Sequence, residues 1–255
     1  MTERKWPTQL WIVRHGQSAG NVASDLAESK MELSIDLATR DGDTPLSALG
    51  VQQAGALGQW FGQMPESMRP TIVLTSPYLR AMDTTSIMLN AAGIERQRGI
   101  HLFVDERLRE KEFGIFDCLT RLGIRQKYPE LAAQRQYMGK FYFRPPGGES
   151  WCDVILRLRS VIDALARDYP GERVLIVAHR VILICFRYLL EQLDEQSILA
   201  IDLASDVPNC GVMSYPIDAA HHHGRKLTPA LVNFVIPLQA AGTPVTVAPD
   251  QADKA

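Results

Sequence analysis

The sequence predicts an α/β protein: a three-layer α/β/α sandwich with a mostly parallel central sheet and a small inserted cap. Two observations predict this class. Short apolar segments of strand length alternate with segments of helical pattern, and this alternation favours a parallel sheet covered by helices on both faces. The chain has 255 residues, 46% of them hydrophobic, which is enough to bury the core of one large α/β domain.

Six segments are predicted strands because each is a short apolar run between polar or turn-forming residues. In chain order they are 9–13, 71–75, 101–105, 173–178, 211–215 and 231–236.

Four segments between these runs are predicted helices, namely 47–62, 77–92, 149–169 and 180–195. In 149–169 the apolar residues recur every three or four positions, as they do on a helix face that packs against a sheet. One helix is expected to begin at Ser47, while Ser76 is expected to cap the helix that Pro77 begins.

We expect residues 1–255 to form a single domain with its core over about 8–216. Residues 112–148 lie between two core elements and are rich in aromatic and basic side chains, so we predict that they form a cap. Residues 217–255 are expected to hold the last strand and a loose tail, because the tail is built of small residues and contains proline.

Composition excludes several classes of function. The formal charge of −2 argues against nucleic acid and anionic membranes as partners. The four widely spaced cysteines predict free thiols in a reducing compartment rather than disulfides or a zinc site. No apolar run resembles a signal peptide or a membrane span, so a cytoplasmic location is expected. A homodimer is left open.

Cationic and titratable side chains follow three of the predicted strands. Arg14 and His15 follow the first, Arg80 lies just beyond the second, and His179 ends the fourth. The carboxyl ends of parallel strands meet at one edge of the sheet, where helix N-termini favour anions. Arginine forks match phosphoryl oxygens in paired hydrogen bonds. The sequence therefore predicts a pocket for a phosphoryl group.

The stretches around these residues resemble the motifs of the histidine phosphatase superfamily, which includes cofactor-dependent phosphoglycerate mutases and many phosphatases. They read VRHGQSAGN, TSPYLRAMDTT, RLREKEFG and VAHR, and they follow the family's order between about residues 9 and 215. The resemblance implies phosphoryl transfer on a small phosphorylated molecule, with no metal and no other cofactor. Phosphate or sulfate could then occupy the pocket.

The resemblance also implies the roles of individual residues. His15 would be the nucleophile that becomes phosphorylated, while Arg14, Arg80 and His179 would hold the phosphoryl oxygens with Asn21 nearby. Glu110 would donate the proton to the leaving oxygen. The residues themselves leave the choice among Glu110, Glu112 and Asp105 open, because REKE also reads as a solvated charge run.

Further segments resemble the phosphatase branch of the family more than its mutases. YPE, FYFRPPGGES, CFRYLL and PNCGVMSY are similar to the fructose-2,6-bisphosphatase domain and its small bacterial relatives. The FTGW-like segment of the mutases has no counterpart in residues 22–43. The arginine that sugar bisphosphatases carry five residues after the last histidine is Ile184 here, which disfavours fructose 2,6-bisphosphate as substrate.

We therefore predict a metal-independent phosphomonoesterase that acts through phosphohistidine on a small anionic phosphorylated metabolite, such as a sugar phosphate. The alternatives are a cofactor-dependent phosphoglycerate mutase and a non-catalytic module that binds a phospho-ligand or protein. Asn21, Tyr128, Arg144 and Arg180 are expected to bind substrate. For Arg180 two alternatives stand: charge for a second anionic group, or exposure to solvent.

Three other motifs are weaker. GQSAG (16–20) has the pattern of a serine-hydrolase elbow, but too little chain precedes it to build that fold. DGDTP (41–45) resembles an aspartyl-phosphate loop, but it has Pro45 in place of threonine and no strand before it. The HHH run at 221–223 is expected to be solvated rather than a metal site.

Overall fold

The central sheet is mostly parallel, as predicted. The computed structural model describes residues 6–94, 100–204, 206–218 and 225–247. Within these ranges, six strands pair in the order β3–β2–β4–β1–β5–β6. Pairing is parallel from β3 through β1, while β5 is antiparallel to β1 and to β6. The strands are β1 Gln9–Arg14, β2 Ile72–Thr75, β3 His101–Val104, β4 Arg173–Ala178, β5 Val212–Pro216 and β6 Leu231–Phe234.

Helices cover both faces of the sheet. In chain order they are α1 Ala19–Ser29, α2 Ala48–Gln63, α3 Leu79–Ala91, α4 Arg121–Lys127, α5 Pro129–Met138, α6 Trp151–Asp168, α7 Arg180–Leu190, α8 Glu195–Ala204 and α9 Ile236–Ala240. Within the described ranges, no helix is both long and apolar enough to cross a membrane.

The two-residue period of the strands divides the core into two layers. In β4, Val174 and Ile176 pack with apolar residues of α6 and α7 on one face. Leu175 and Val177 pack with α2 and α3 on the other face. Both faces of the sheet are buried, which explains why the strands are continuous apolar runs in the sequence. The predicted α/β/α sandwich is confirmed.

Residues 112–148 contain α4, α5 and a short 3₁₀ turn at Gly114–Phe116. They enclose a small apolar cluster of their own, formed by Phe113, Phe116, Leu119, Ile124 and Phe143. Phe141, by contrast, belongs to the core cluster beneath α6. The division of the chain into core, cap and tail stays a prediction.

Several elements differ from the sequence prediction. The helix predicted over 180–195 ends at Leu190, and a separate helix, α8, follows it. Helix α3 begins at Leu79 rather than Pro77, and its N-cap position is Tyr78. The expectations that Ser76 caps this helix and that Pro77 begins it were therefore wrong: Ser76 lies two residues before the N-cap position, where its hydroxyl accepts from Tyr78 N (3.2 Å). Helices α1, α4, α5, α8 and α9 were not predicted.

The described part of the C-terminal tail is docked, although a loose tail was expected. Thr246 and Asn209 exchange two hydrogen bonds, one between Asn209 N and Thr246 O (2.9 Å) and one between the side chains (2.9 Å). Gln53 of α2 donates to Pro244 O and to Thr246 Oγ1. Residues 248–255 and the histidines at 221–223 lie outside the described residues.

Candidate active site

The centre of the sheet fixes the backbone of Arg14 and His15. Strand β1 lies between β4 and β5, so neighbours on both sides pair with its end. His15 N donates to Ala178 O (2.9 Å), and Arg14 N donates to Gly211 O (3.2 Å). Both side chains are fully buried.

The hydrogen-bond partners of the His15 ring indicate that its proton is on Nδ1. Nδ1 lies 2.7 Å from Gly16 O, and a carbonyl oxygen only accepts hydrogen bonds. Nε2 lies 3.2 Å from Nε of Arg80, which only donates. Nε2 therefore carries a lone pair, and the imidazole is neutral in this arrangement.

Arg80, in the first turn of α3, presents two edges of its guanidinium. Nε faces His15, while Nη1 and Nη2 donate to the Asp41 carboxylate at 3.0 and 3.2 Å. Nη1 also donates to Asp41 O (2.7 Å). The Tyr78 ring lies beneath the guanidinium, with its centroid 5.0 Å from Cζ.

His179 approaches His15 from the end of β4. The two imidazole centroids are 5.1 Å apart, and both side chains are buried. Nε2 of His179 is 2.7 Å from Oγ of Ser76, a hydroxyl that also accepts from Tyr78 N (3.2 Å). The parallel strands β2 and β4 thus bring Ser76 and His179 together at the carboxyl edge of the sheet.

The turn that precedes β5 forms hydrogen bonds with Arg14 and His15. Nη1 of Arg14 donates to Val207 O (2.6 Å), and Asn209 Nδ2 donates to His15 O (3.1 Å). Cys210 has a left-handed backbone (φ 53°) and donates its N–H to Arg14 O (3.1 Å). Burial raises the pKa of the Cys210 thiol to about 12. This thiol is therefore protonated near pH 7 and is a weak nucleophile.

Glu110 is buried and lines the same pocket as Arg80. Its Oε1 accepts from Lys111 N (2.8 Å). Glu149 and Arg157 hold the surrounding loop: Arg157 Nη2 donates to Glu110 O (3.2 Å), and Arg157 pairs with Glu149 (3.0 Å).

The two other candidate acids are placed differently. Burial alone would raise the pKa of Asp105, but hydrogen bonds from Arg107 outweigh it and hold the pKa below its ordinary value. Glu112 is exposed and accepts from the Tyr78 hydroxyl (2.9 Å). Of the three carboxyl groups, Glu110 is the one among the residues that line the pocket.

The remaining predicted substrate residues differ in position. Asn21 is buried and lines the pocket, where its Oδ1 accepts from Ser18 N (3.0 Å). Tyr128 packs in the cap cluster beside Phe116.

Arg144 and Arg180 are bound to carboxylates away from the pocket lining. Arg144 is largely exposed and forms a salt bridge with Asp153. Arg180 is fully buried and bonded to Asp202 (2.6 Å), so the alternative of a solvent-facing side chain is wrong, and its role in binding substrate stays a prediction. Asp202 also binds Lys140 (2.5 Å). The pairing of Lys140 with Asp202 was not foreseeable from the sequence, because 62 residues separate them.

Sequence reasoning missed three residues of the site: Asp41, Ser76 as a partner of His179, and Asn209. Asp41 belongs to DGDTP, a motif that was considered only as an aspartyl-phosphate loop. Asn209 stands in PNCGVMSY, which was used only as a sign of a late strand. Within the described ranges, no group of three or more histidine, cysteine or acidic residues is arranged to hold a metal ion.

This arrangement places a neutral imidazole nitrogen among cationic and polar groups at the carboxyl edge of a parallel sheet. Such a set of groups can accept and hold a phosphoryl group. The model of the histidine phosphatase superfamily (branch 1) matches residues 10–227. The chain therefore belongs to the histidine phosphatase superfamily.

Relatives within the superfamily carry two kinds of name. The 2,3-bisphosphoglycerate-dependent phosphoglycerate mutase of Rhizobium rhizogenes is 31% identical over 212 residues, covering 82% of this chain and 90% of the mutase. A mycobacterial glucosyl-3-phosphoglycerate phosphatase, solved in complex with VO3, superposes with a TM-score of 0.64 at 26% identity, covering 88% of this chain and 97% of its own.

The alpha-ribazole phosphatase of Shigella flexneri is similar in fold. It superposes with a TM-score of 0.68 at 21% identity, covering 89% of this chain and 96% of its own. The type of activity within the superfamily is therefore not fixed by these relatives.

Proposed function

We propose that this protein is a metal-independent phosphomonoesterase that works through a phosphohistidine at Nε2 of His15. The substrate is a small phosphorylated metabolite such as a sugar phosphate. One observation carries the proposal: the bond from Nδ1 to Gly16 O leaves the lone pair on Nε2, beside a guanidinium that can bind phosphoryl oxygens.

In the first step, Nε2 of His15 attacks phosphorus and the bond to the ester oxygen breaks. Nε of Arg80 turns its hydrogen bond from Nε2 to a phosphoryl oxygen, and Arg14 and His179 hold the others. Glu110 gives its proton to the leaving oxygen, which departs as an alcohol.

In the second step, water attacks the phosphohistidine and the N–P bond breaks. Glu110, now a carboxylate, takes a proton from the water, and the electron pair returns to Nε2. Inorganic phosphate leaves, Glu110 is protonated again, and Nε2 of His15 again carries its lone pair.

A phosphatase is favoured over a mutase by the absence of an FTGW-like segment in 22–43 and by the similarity to glucosyl-3-phosphoglycerate phosphatase. The relatives that are 31% identical and named phosphoglycerate mutase support the second candidate. That enzyme would pass the phosphoryl group of His15 to a substrate hydroxyl instead of water.

The test is phosphate release in EDTA from a panel of esters: 4-nitrophenyl phosphate, hexose phosphates, phosphoglycerates and fructose 2,6-bisphosphate. We expect release by wild type and loss of at least about a thousandfold in His15→Ala. His101→Ala is the matched control, because His101 is exposed on the edge strand β3, and it should retain activity.

A mutase would give a different result. Wild type would release little phosphate but would interconvert 2- and 3-phosphoglycerate once primed with 2,3-bisphosphoglycerate. Neither activity in a folded protein would indicate a binding module and would contradict the proposal.

A further inference from the structure

The phosphoryl pocket contains an ionised side chain that the catalytic cycle does not use. Asp41 holds the Nη1–Nη2 end of Arg80 with both carboxylate oxygens, and its backbone oxygen accepts from the same guanidinium. Arg80 has five N–H donors, so its Nε side stays directed at His15 while Asp41 occupies the other end.

On the side of Arg80 that faces away from His15, the lining of the pocket contains more carboxyl groups than cations. It is formed by Ser18, Gly20, Asn21, Leu37, Asp41, Arg80, Glu110 and Phe113. This set holds one cation and two carboxyl groups. Glu110 must carry a proton to act as an acid, which leaves Asp41 as the ionised carboxylate beside the place where a leaving group would sit.

None of the basic side chains of the cap is among the residues that line this pocket, although Arg135 and Lys140 line, with Lys111, a neighbouring cleft that shares Phe113 with it. Arg121, Arg125, Arg135 and Lys140 are among the residues that line a different cleft, of about 570 Å³, between α4 and α5. Lys140 is bound to Asp202, and Arg144 is bound to Asp153. The basic composition of the cap therefore adds no cation to the lining of this pocket.

Resting on the proposed phosphatase function, we propose that Asp41 determines specificity by charge and positions Arg80. Its carboxylate fixes the guanidinium so that the Nε side meets the phosphoryl group. The same carboxylate repels a second anion close to the ester. The enzyme therefore acts on phosphomonoesters whose leaving group is neutral and hydroxylated, or cationic, and discriminates against carboxylated or doubly phosphorylated compounds.

Two substrates of equal chain length isolate this effect. O-Phosphoethanolamine carries an ammonium two carbons from the ester oxygen, and 2-phosphoglycolate carries a carboxylate there. We would measure kcat/KM for both, and for 4-nitrophenyl phosphate, with wild type, Asp41→Asn, Asp41→Glu and Asp43→Asn. Wild type should prefer phosphoethanolamine. In Asp41→Asn the preference should shift toward phosphoglycolate by about tenfold, as expected when one charge a few ångströms away is removed.

Asp43→Asn is the matched control, because Asp43 lies in the same short turn but is exposed and paired with the exposed Arg40. It removes the same net charge and should move the ratio by less than about twofold. Asp41→Glu keeps the negative charge and should still prefer phosphoethanolamine over phosphoglycolate.

The outcomes separate the two proposals. An unmoved ratio in Asp41→Asn, with 4-nitrophenyl phosphate still hydrolysed, overturns the role of Asp41 and leaves the phosphatase proposal intact. An equal shift in Asp43→Asn also overturns it, because the cause is then the net charge of the protein. If wild type hydrolyses none of the three esters, the proposed function fails, and the role of Asp41 fails with it.

Discussion

At the scale of single residues, the neutral Nε2 of His15 depends on the position of one carbonyl oxygen. Gly16 N donates to Thr84 Oγ1 (3.0 Å), and Thr84 donates in turn to Arg80 O (2.6 Å). The residue whose carbonyl oxygen fixes the His15 tautomer is thus tied to the helix that carries Arg80. One chain of hydrogen bonds therefore fixes both the tautomer of His15 and the position of Arg80.

Glu110→Gln tests the proton donor. The variant should lower kcat/KM for alkyl phosphates by about a hundredfold or more, because this ratio reports the first step, in which their alkoxide leaving groups need a proton. The loss should be much smaller for 4-nitrophenyl phosphate, whose phenolate leaves without one. Glu112→Gln should leave both rates near those of wild type. Equal losses for the two substrate classes in Glu110→Gln would assign the proton transfer to another group.

Sequence alone brought Arg14, His15, Arg80 and His179 to the ends of predicted strands, and the structure places them together. It could not supply Asp41, because a short polar turn has no periodicity and its fold depends on distant contacts. Buried partners such as Asp202 of Arg180 are invisible for the same reason: the pairing is set by helix packing and not by spacing in the chain.

At the scale of elements, helix α2 packs directly against the loop after β1. A Cβ added at Gly50 would lie 2.0 Å from Gln17 O, and one at Gly16 would lie 2.6 Å from Gly50 O. Ser47 caps the helix by accepting from Gly50 N and also donates to Gln17 Oε1 (2.7 Å). The start of α2 therefore determines where the catalytic loop can lie.

Gly50→Ala should push this loop away from its place. We expect a loss of about 3 kcal/mol or more in the free energy of unfolding, since backbone atoms cannot move aside cheaply, together with a large loss of kcat. Gly55→Ala, on the same helix with no atom within 4 Å of the added Cβ, should stabilise by about 0.5–1 kcal/mol. Urea unfolding and phosphate release measure both, and equal stability of the two variants would contradict the close-packing argument.

The predictability of an element follows its burial. Strand β4 and helix α6 bury long apolar patterns, and their predicted bounds lie within two residues of the observed ones. Helix α5 has no buried residue, so it lacks a periodic apolar face, and the sequence gives only a proline at its start. The boundary between α7 and α8 was missed because both helices are apolar and no proline or glycine separates them.

At the scale of the whole molecule, one ion pair connects the edge of the sheet to the helix layer. Asp105 follows β3 and accepts from Arg107 Nη2 (2.6 Å), while Arg107 Nη1 donates to Ser160 O of α6 (3.0 Å). The folded-state pKa of Asp105 is lowered. Its contribution to stability is therefore present above its unfolded pKa of about 4 and is lost as the pH falls through the folded value.

Asp105→Asn should lower the free energy of unfolding by about 1–2 kcal/mol at pH 7, because the charge-assisted hydrogen bonds to Arg107 are lost. The difference from wild type should shrink as the pH is lowered from 5 to 3, since protonation of Asp105 then removes the same charge from wild type. Urea titrations across this range measure it. A difference that stays constant with pH would mean that the carboxylate charge is not what stabilises the fold.

The architecture as a whole was predictable because alternation of apolar runs with helical segments restricts the topologies that can bury both faces of a sheet. The docking of the tail was not predictable, because the tail is attached to Asn209 and Gln53 by hydrogen bonds. In the sequence, the small residues that form these bonds look like those of any exposed segment.

The position of β1 in the middle of the sheet also bears on how enzymes of this kind diversify. Arg14, His15 and His179 lie on or directly after the two innermost strands, β1 and β4, whereas Asp41 and residues 112–148 lie in segments outside the sheet. Mutations in those peripheral segments can alter which molecules are accepted without disturbing the strands that carry the histidines. Relatives with mutase names and relatives with phosphatase names can therefore share one sheet architecture while they differ in these outer segments.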